Sequence, residues 1–185
     1  MRAAVGLDNL GQSEKSAPIL AALASDKGLE VEVRAKLSIL LDKLGYGREA
    51  AQAWLALARD EKVSTRVRER AAVALGELGL VEEAASVLLA LARDKRVKAQ
   101  VRKEAAVALG ELGRVEDAAS VLLSLVRDKR VKARVRKGAA VALGKLSCVL
   151  PEVLSSLRAL ADDPRTPDLV RRAARDSLQR LTKVR

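Results

Sequence analysis

The chain has 185 residues, 49% of them apolar, and a formal charge of +11 from 35 Lys and Arg against 24 Asp and Glu. With no His and a single Cys, Cys148, it has no zinc ligand set, no His-based general base and no intrachain disulfide, which points to a reducing, cytoplasmic compartment. Aromatics are limited to Tyr46 and Trp54, no apolar run is long enough to span a membrane, and no cofactor motif stands out, so the core is expected to be built from Leu, Val and Ala.

Internal repetition organises the chain. RAAVGLDNLG from Arg2 aligns with RAAVALGELG from Arg70, and Val33-Arg34, Val67-Arg68, Val101-Arg102 and Val135-Arg136 recur every 34 residues. Val170-Arg171 comes one residue late, which places an insertion in a turn near Cys148–Pro151. The expected units are 1–32, 33–66, 67–100, 101–134 and 135–169, followed by a final helix at 170–185, all in one repeat domain, 1–185.

Each unit reads as two helices. In the first, Val67, Ala71, Ala74, Leu75 and Leu78 fall on one helical face, and Gly79 follows as a C-cap, matched by Gly11, Gly45 and Gly113. Gly76 lies inside this helix. Its equivalents Asp8, Asp42, Gly110, Gly144 and Gln179 predict an exposed position with no special contact. In the second helix, Val81, Ala84, Ala85, Leu88, Leu91 and Ala92 form a stripe widened by Val87 and Leu89, which suits a helix packed on both sides. Trp54 aligns with Leu88 and Leu122 and is expected in the core, whereas Tyr46 is expected to be exposed in a turn.

The segment Lys95–Gln100 then turns the chain back, with Val97 as an apolar plug in the slot of Leu29, Val63 and Val131. Pro151 opens a second helix, and a last first helix is expected from about Pro167 to Leu181. The fold class is therefore all-α, an α-solenoid of stacked antiparallel helix pairs with about eleven helices.

The period first suggests a tetratricopeptide array, but Arg68 and Leu75 stand where that family has tryptophan and tyrosine, and Arg96 stands at its closing proline. VRERAAVALGELG, VRKEAAVALGELG and VRKGAAVALGKLS, with the junction DDPRTPDLVRRAARDSL at 162–178, resemble the short bacterial HEAT-like repeat, the phycobilisome-lyase type. The resemblance implies an Asp–Arg ladder between neighbouring units, drawn from Asp26–Arg34, Asp60–Arg68, Asp94–Arg102, Asp128–Arg136 and Asp163–Arg171. It also implies that second helices line a concave face. Gln52, Arg59, Ser86, Arg93, Ser120, Ser124 and Arg127, with Ala56 and Ala90 between them, would stand there to meet a protein partner.

A second candidate surface is a basic edge of Lys95, Arg96, Lys98, Lys103, Lys129, Arg130, Lys132, Arg134 and Lys137. It reads either as a solvated seam or as an anion site, with nucleic acid as one anionic partner. Cys148 has no neighbouring base and makes a poor nucleophile. Met1 falls in mid-helix and the last first helix has no partner helix, so the chain reads as a slice of a longer array. Arrays of this look often form the sensing or docking arm of bacterial signalling proteins. Three functions stay open: a non-enzymatic protein-binding scaffold, a nucleic-acid binder, and a bilin-lyase-type enzyme component.

Overall fold

Every expected helix that falls among the described residues forms. The computed structural model describes residues 13–146 and 150–183, where ten helices follow one another without a strand. They are α1 (Ser13–Ser25), α2 (Val31–Lys43), α3 (Gly47–Arg59), α4 (Thr65–Glu77), α5 (Val81–Arg93), α6 (Ala99–Glu111), α7 (Val115–Arg127), α8 (Ala133–Lys145), α9 (Pro151–Asp162) and α10 (Asp168–Lys183). The even-numbered helices are the first helices of their repeats and the odd-numbered ones the second. The expected helix ahead of α1, Asp8, Gly11 and the turn at Cys148 lie outside the described residues.

Two kinds of turn alternate. After α2, α4 and α6 the chain passes through Gly45, Gly79 and Gly113 at φ of 82, 85 and 80°. The next residue then donates its N–H to a carbonyl five residues back: Tyr46 to Leu41, Leu80 to Leu75 and Arg114 to Leu109, at 2.9–3.0 Å. This closure satisfies carbonyls at the helix end and needs a left-handed residue, which glycine adopts without a Cβ penalty. After the second helices, Asp26, Asp60, Asp94, Asp128 and Asp163 each accept through Oδ1 the N–H two residues on. The donors are Gly28, Lys62, Arg96, Arg130 and Arg165, at 2.8–3.1 Å. Each aspartate's own carbonyl accepts from the third residue on, and that residue is the plug. Val63 and Val97 are buried there, and Leu29 and Val131 half-buried. The late fifth copy places Thr166 in the slot, where its hydroxyl donates to Asp163 Oδ2 at 3.3 Å and so keeps a polar plug satisfied.

The chain divides into two compact units, Met1–Val87 and Leu88–Arg185. In the first, α1 packs on α2 and α3, α2 on α3, and α3 on α4. In the second, α7 packs on α6, α8 and α9, while α8 packs on α6 and α10, and α9 on α10. Helices therefore stack in chain order within each unit, as the pairs of a solenoid do. Leu20, Leu41, Leu57 and Leu75 are fully buried in the first unit, and Leu109, Leu122, Leu125, Leu143 and Leu157 in the second. Each such leucine contributes about 1.5–3 kcal/mol of burial. Trp54 is 7% exposed, as its alignment with leucines predicts. Tyr46 is half-buried rather than exposed, because the turn that uses its N–H and carbonyl brings it to the start of α3.

A further expectation fails. The position of Gly76, Gly110 and Gly144 is not uniformly exposed: Asp42 and Gln179 are exposed, but Gly110 is half-buried and Gly144 buried. A Cβ at Gly144 would lie 2.6 Å from Ser177 Oγ and 2.9 Å from Ser177 Cα. The cause is close approach of α8 and α10, where Ser177 Oγ also donates to the Ala140 carbonyl at 2.9 Å. Gly138, on the same helix, faces only the flexible end of Lys103, 3.2 Å from its Cδ. Gly144→Ala should therefore destabilise the chain by about 1–3 kcal/mol. Gly138→Ala should stabilise it by about 0.5–1 kcal/mol. Urea unfolding of the two variants gives opposite signs if this packing is right.

Candidate functional site

The arginines of the Val-Arg pairs do not pair with the aspartate eight residues before them. Arg34, Arg68, Arg102 and Arg136 instead donate Nε to the carbonyl ten residues back, on Ala24, Ala58, Ala92 and Val126, at 2.9–3.1 Å. Those carbonyls lie in the last turn of the preceding second helix, where carbonyls lack intrahelical donors and a cation is favoured. Only Arg34 among them also reaches a ladder aspartate, and that is the one at the far end of its own repeat: Nη1 lies 2.9 Å from Asp60 Oδ2, and both side chains are buried. In the last repeat Arg175 Nη2 takes the Ala161 carbonyl at 3.2 Å, while Arg171 turns to Asp168 at 3.1 Å.

The other aspartates are held locally. Arg96 grips Asp94 through Nε and Nη2 at 2.9–3.2 Å, and Arg130 grips Asp128 at 3.1 Å. The Arg96 side chain, then its N–H, holds the Asp94 carboxyl below the ordinary range, and Arg130 acts likewise on Asp128. Asp60 is held down first by Arg34 and then by the Lys62 N–H, and Asp163 first by the Arg165 N–H. Arg96 and Arg130 are thus partly neutralised, although the sequence lists them among the free charges of the basic edge.

The remaining edge residues separate. Lys98 and Lys132 occupy the N-cap positions of α6 and α8 and make no side-chain cap, whereas Ser64 caps α4 by accepting the Val67 N–H. A cation at a helix N-terminus opposes the helix field. Arg134 and Lys137 are exposed on α8. Lys103 is half-buried and lines a groove of about 370 Å³ between α6 and α8, with Val107, Gly110, Gly138, Val141 and Lys145. A groove of about 400 Å³ at equivalent positions in the first unit, between α2 and α4, holds Trp54, Ile39, Val73 and Arg70. Sequence reasoning missed both grooves, although a tryptophan in a leucine slot and paired small residues on first helices were the signals available.

The second-helix row is exposed at Gln52, Arg59, Ser86, Arg93, Ser120, Ser124 and Arg127. Arg93 Nη2 is fixed on Asp117 at 3.0 Å, and Arg127 donates to Ser156. Ser124 and Arg127 of this row meet Lys95, Lys129 and Arg130 of the edge in one cleft of about 600 Å³, together with Arg102 and Asp128. The two candidate surfaces share this cleft.

Among the described residues no group of His, Cys, Asp and Glu is placed to hold a metal, and no helix is long and apolar enough to cross a membrane. Two family models match the chain: HEAT repeats over residues 97–179 and PBS lyase HEAT-like repeat over residues 67–94. No curated protein and no solved structure matches it.

Because Asp60, Asp94, Asp128 and Asp163 titrate lower when folded, their stabilisation is complete above the ordinary Asp value of about 3.9 and is lost as pH falls through the depressed folded values. The melting midpoint should therefore show no loss from these groups between neutral pH and that value, and should fall in stronger acid. At neutral pH Arg34→Met should lower the midpoint more than Arg130→Met, because only the former leaves a buried carboxylate unpaired. Equal losses would contradict the assignment. Lys132→Ser should raise stability by about 0.5–1 kcal/mol in denaturant unfolding.

Proposed function

Because the chain belongs to the HEAT-like repeat family, we propose that it is a non-enzymatic scaffold that docks a protein partner along its second helices, as the sensing or docking arm of a larger bacterial protein. The observation that carries this reading is the row Ser120 and Ser124 with Arg93 and Arg127, exposed on second helices of the second unit, with Ser86 at the equivalent of Ser120 one period earlier. Small polar side chains let a partner helix or strand approach the backbone closely, and the arginines at the row's end, fixed on Asp117 and Ser156, are preorganised for contact.

The uniformity of the repeats supports a role without catalysis. The aspartates of the turns do the same structural work in each repeat, and those held below the ordinary range are ionised at neutral pH, unsuited to general-acid work. The bilin-lyase reading has the description of the matched repeat behind it and no side-chain constellation among the described residues. Nucleic-acid binding is the second reading, favoured by cations kept at the starts of α6 and α8 against the helix field.

Ser86→Arg combined with Ser120→Arg should abolish recovery of partners by the immobilised chain while leaving its melting midpoint unchanged, since both serines are exposed. Equal recovery by wild type and variant would overturn the docking reading.

A further inference from the structure

The cleft of the second unit has a charge balance that the fold does not require. Its lining is Lys95, Arg102, Ser124, Leu125, Arg127, Asp128, Lys129 and Arg130. Asp128, its one acid, already accepts from the N–H and Nε of Arg130. Lys95 and Lys129 are exposed and enter no ion pair among the described residues. Arg127 donates to a neutral hydroxyl, that of Ser156. Arg102 uses Nε on the Ala92 carbonyl, and among the described residues no carboxylate forms an ion pair with its two Nη atoms. Its counterpart Arg34 has Asp60 in that place at 2.9 Å. Four cations thus converge with no ion pair among the described residues; Asp94 and Asp128 lie in the field of Arg102 and Asp163 in that of Lys129, each of them already hydrogen-bonded in its own turn.

We propose that this cleft binds an acidic peptide segment, with its Asp or Glu carboxylates taken by Lys95, Arg102, Arg127 and Lys129. The proposal rests on the protein-docking reading and specifies the chemistry of the docked segment. Arg102 supplies the planar fork that matches a carboxylate, held in place by its Nε bond, and the two lysines supply point charges at the rim. The site is discrete. One repeat earlier Glu61 stands in place of Lys95, and one repeat later Asp162 and Pro164 stand in place of Arg127 and Lys129. A phosphodiester backbone would call for a continuous cationic track, whereas a short acidic segment needs one cluster. No aromatic side chain lines the cleft to stack a base, and both aromatics of the chain belong to the other unit.

The test is fluorescence anisotropy of labelled octaglutamate with the full chain at low salt, against a labelled single-stranded oligonucleotide of similar charge. Wild type should bind octaglutamate, and Lys95→Glu with Lys129→Glu should weaken it by about tenfold or more. Lys27→Glu with Lys62→Glu, the same charge change in turns of the first unit, should weaken it less than about twofold. Equal weakening by both pairs would reduce the effect to net charge and overturn the proposal. So would oligonucleotide binding that alone responds to the cleft pair, which would assign the cleft to nucleic acid. Partners lost with the Ser86/Ser120 variant but retained by the cleft pair would overturn this inference and leave the docking reading standing. Partner recovery indifferent to the serine variant, with octaglutamate binding lost in the cleft pair, would overturn the docking reading and support the acidic-segment site.

Discussion

An arginine Nε–H bonded to a carbonyl at the end of the preceding helix is the contact on which four of the described repeat junctions depend. It recurs at Arg34, Arg68, Arg102 and Arg136, always to the residue ten positions back. The last-turn carbonyls of a helix have no intrahelical donor, and burying one without a partner costs about 1–3 kcal/mol. Alternating short turns press α1, α3, α7 and α9 each against the next first helix, so these carbonyls cannot all be left to water. Arginine meets the need with a charge-assisted bond and a cation at the negative end of the helix. A lysine has no equivalent of Nε, so it cannot hold the carbonyl and leave a planar fork free.

That division of labour within one side chain links the fold to the site. Nε is committed to structure at these four positions, while the Nη atoms are spent differently. In the first unit Arg34 places Nη1 on Asp60 and ties the two ends of its own repeat through a buried pair. In the second unit Arg102 has no such carboxylate, because Asp128 is already gripped by Arg130 two residues along the same turn. The two turns differ in the residue two after the aspartate: Arg130 grips Asp128 with its side chain, whereas Lys62 gives Asp60 only its backbone N–H. The cationic cleft is therefore a by-product of turn sequence that leaves the Arg102 guanidinium oriented and without an ion pair of its own.

Much of this was legible in the sequence. The period located every described helix, the glycine closures and the plug, and alignment with Leu88 and Leu122 placed Trp54 in the core, because apolar spacing and turn chemistry are local properties. The Asp–Arg ladder was legible only as a set of residue types. Its pairing depends on reach across a turn and on competition between neighbouring donors, so that Asp94 and Asp128 bind local arginines while Asp60 binds a distant one. Gly144 was misread for a related reason: its contact with Ser177 depends on how closely a neighbouring first helix approaches, and Asp42 and Gln179, at the same register position, meet no such neighbour. The edge and the second-helix row were each visible as patterns. That Lys95, Ser124 and Lys129 share one cleft follows from the stacking of helices and from nothing in the spacing.

The most direct test of the arginine closure is hydrogen exchange at the guanidinium Nε–H groups, followed by nitrogen-edited NMR. The account predicts slow exchange at Arg34, Arg68, Arg102 and Arg136, with fast exchange at Arg134 and Arg158, which are exposed and form no such bond. Exchange at the four junction arginines as fast as at Arg134 would contradict it.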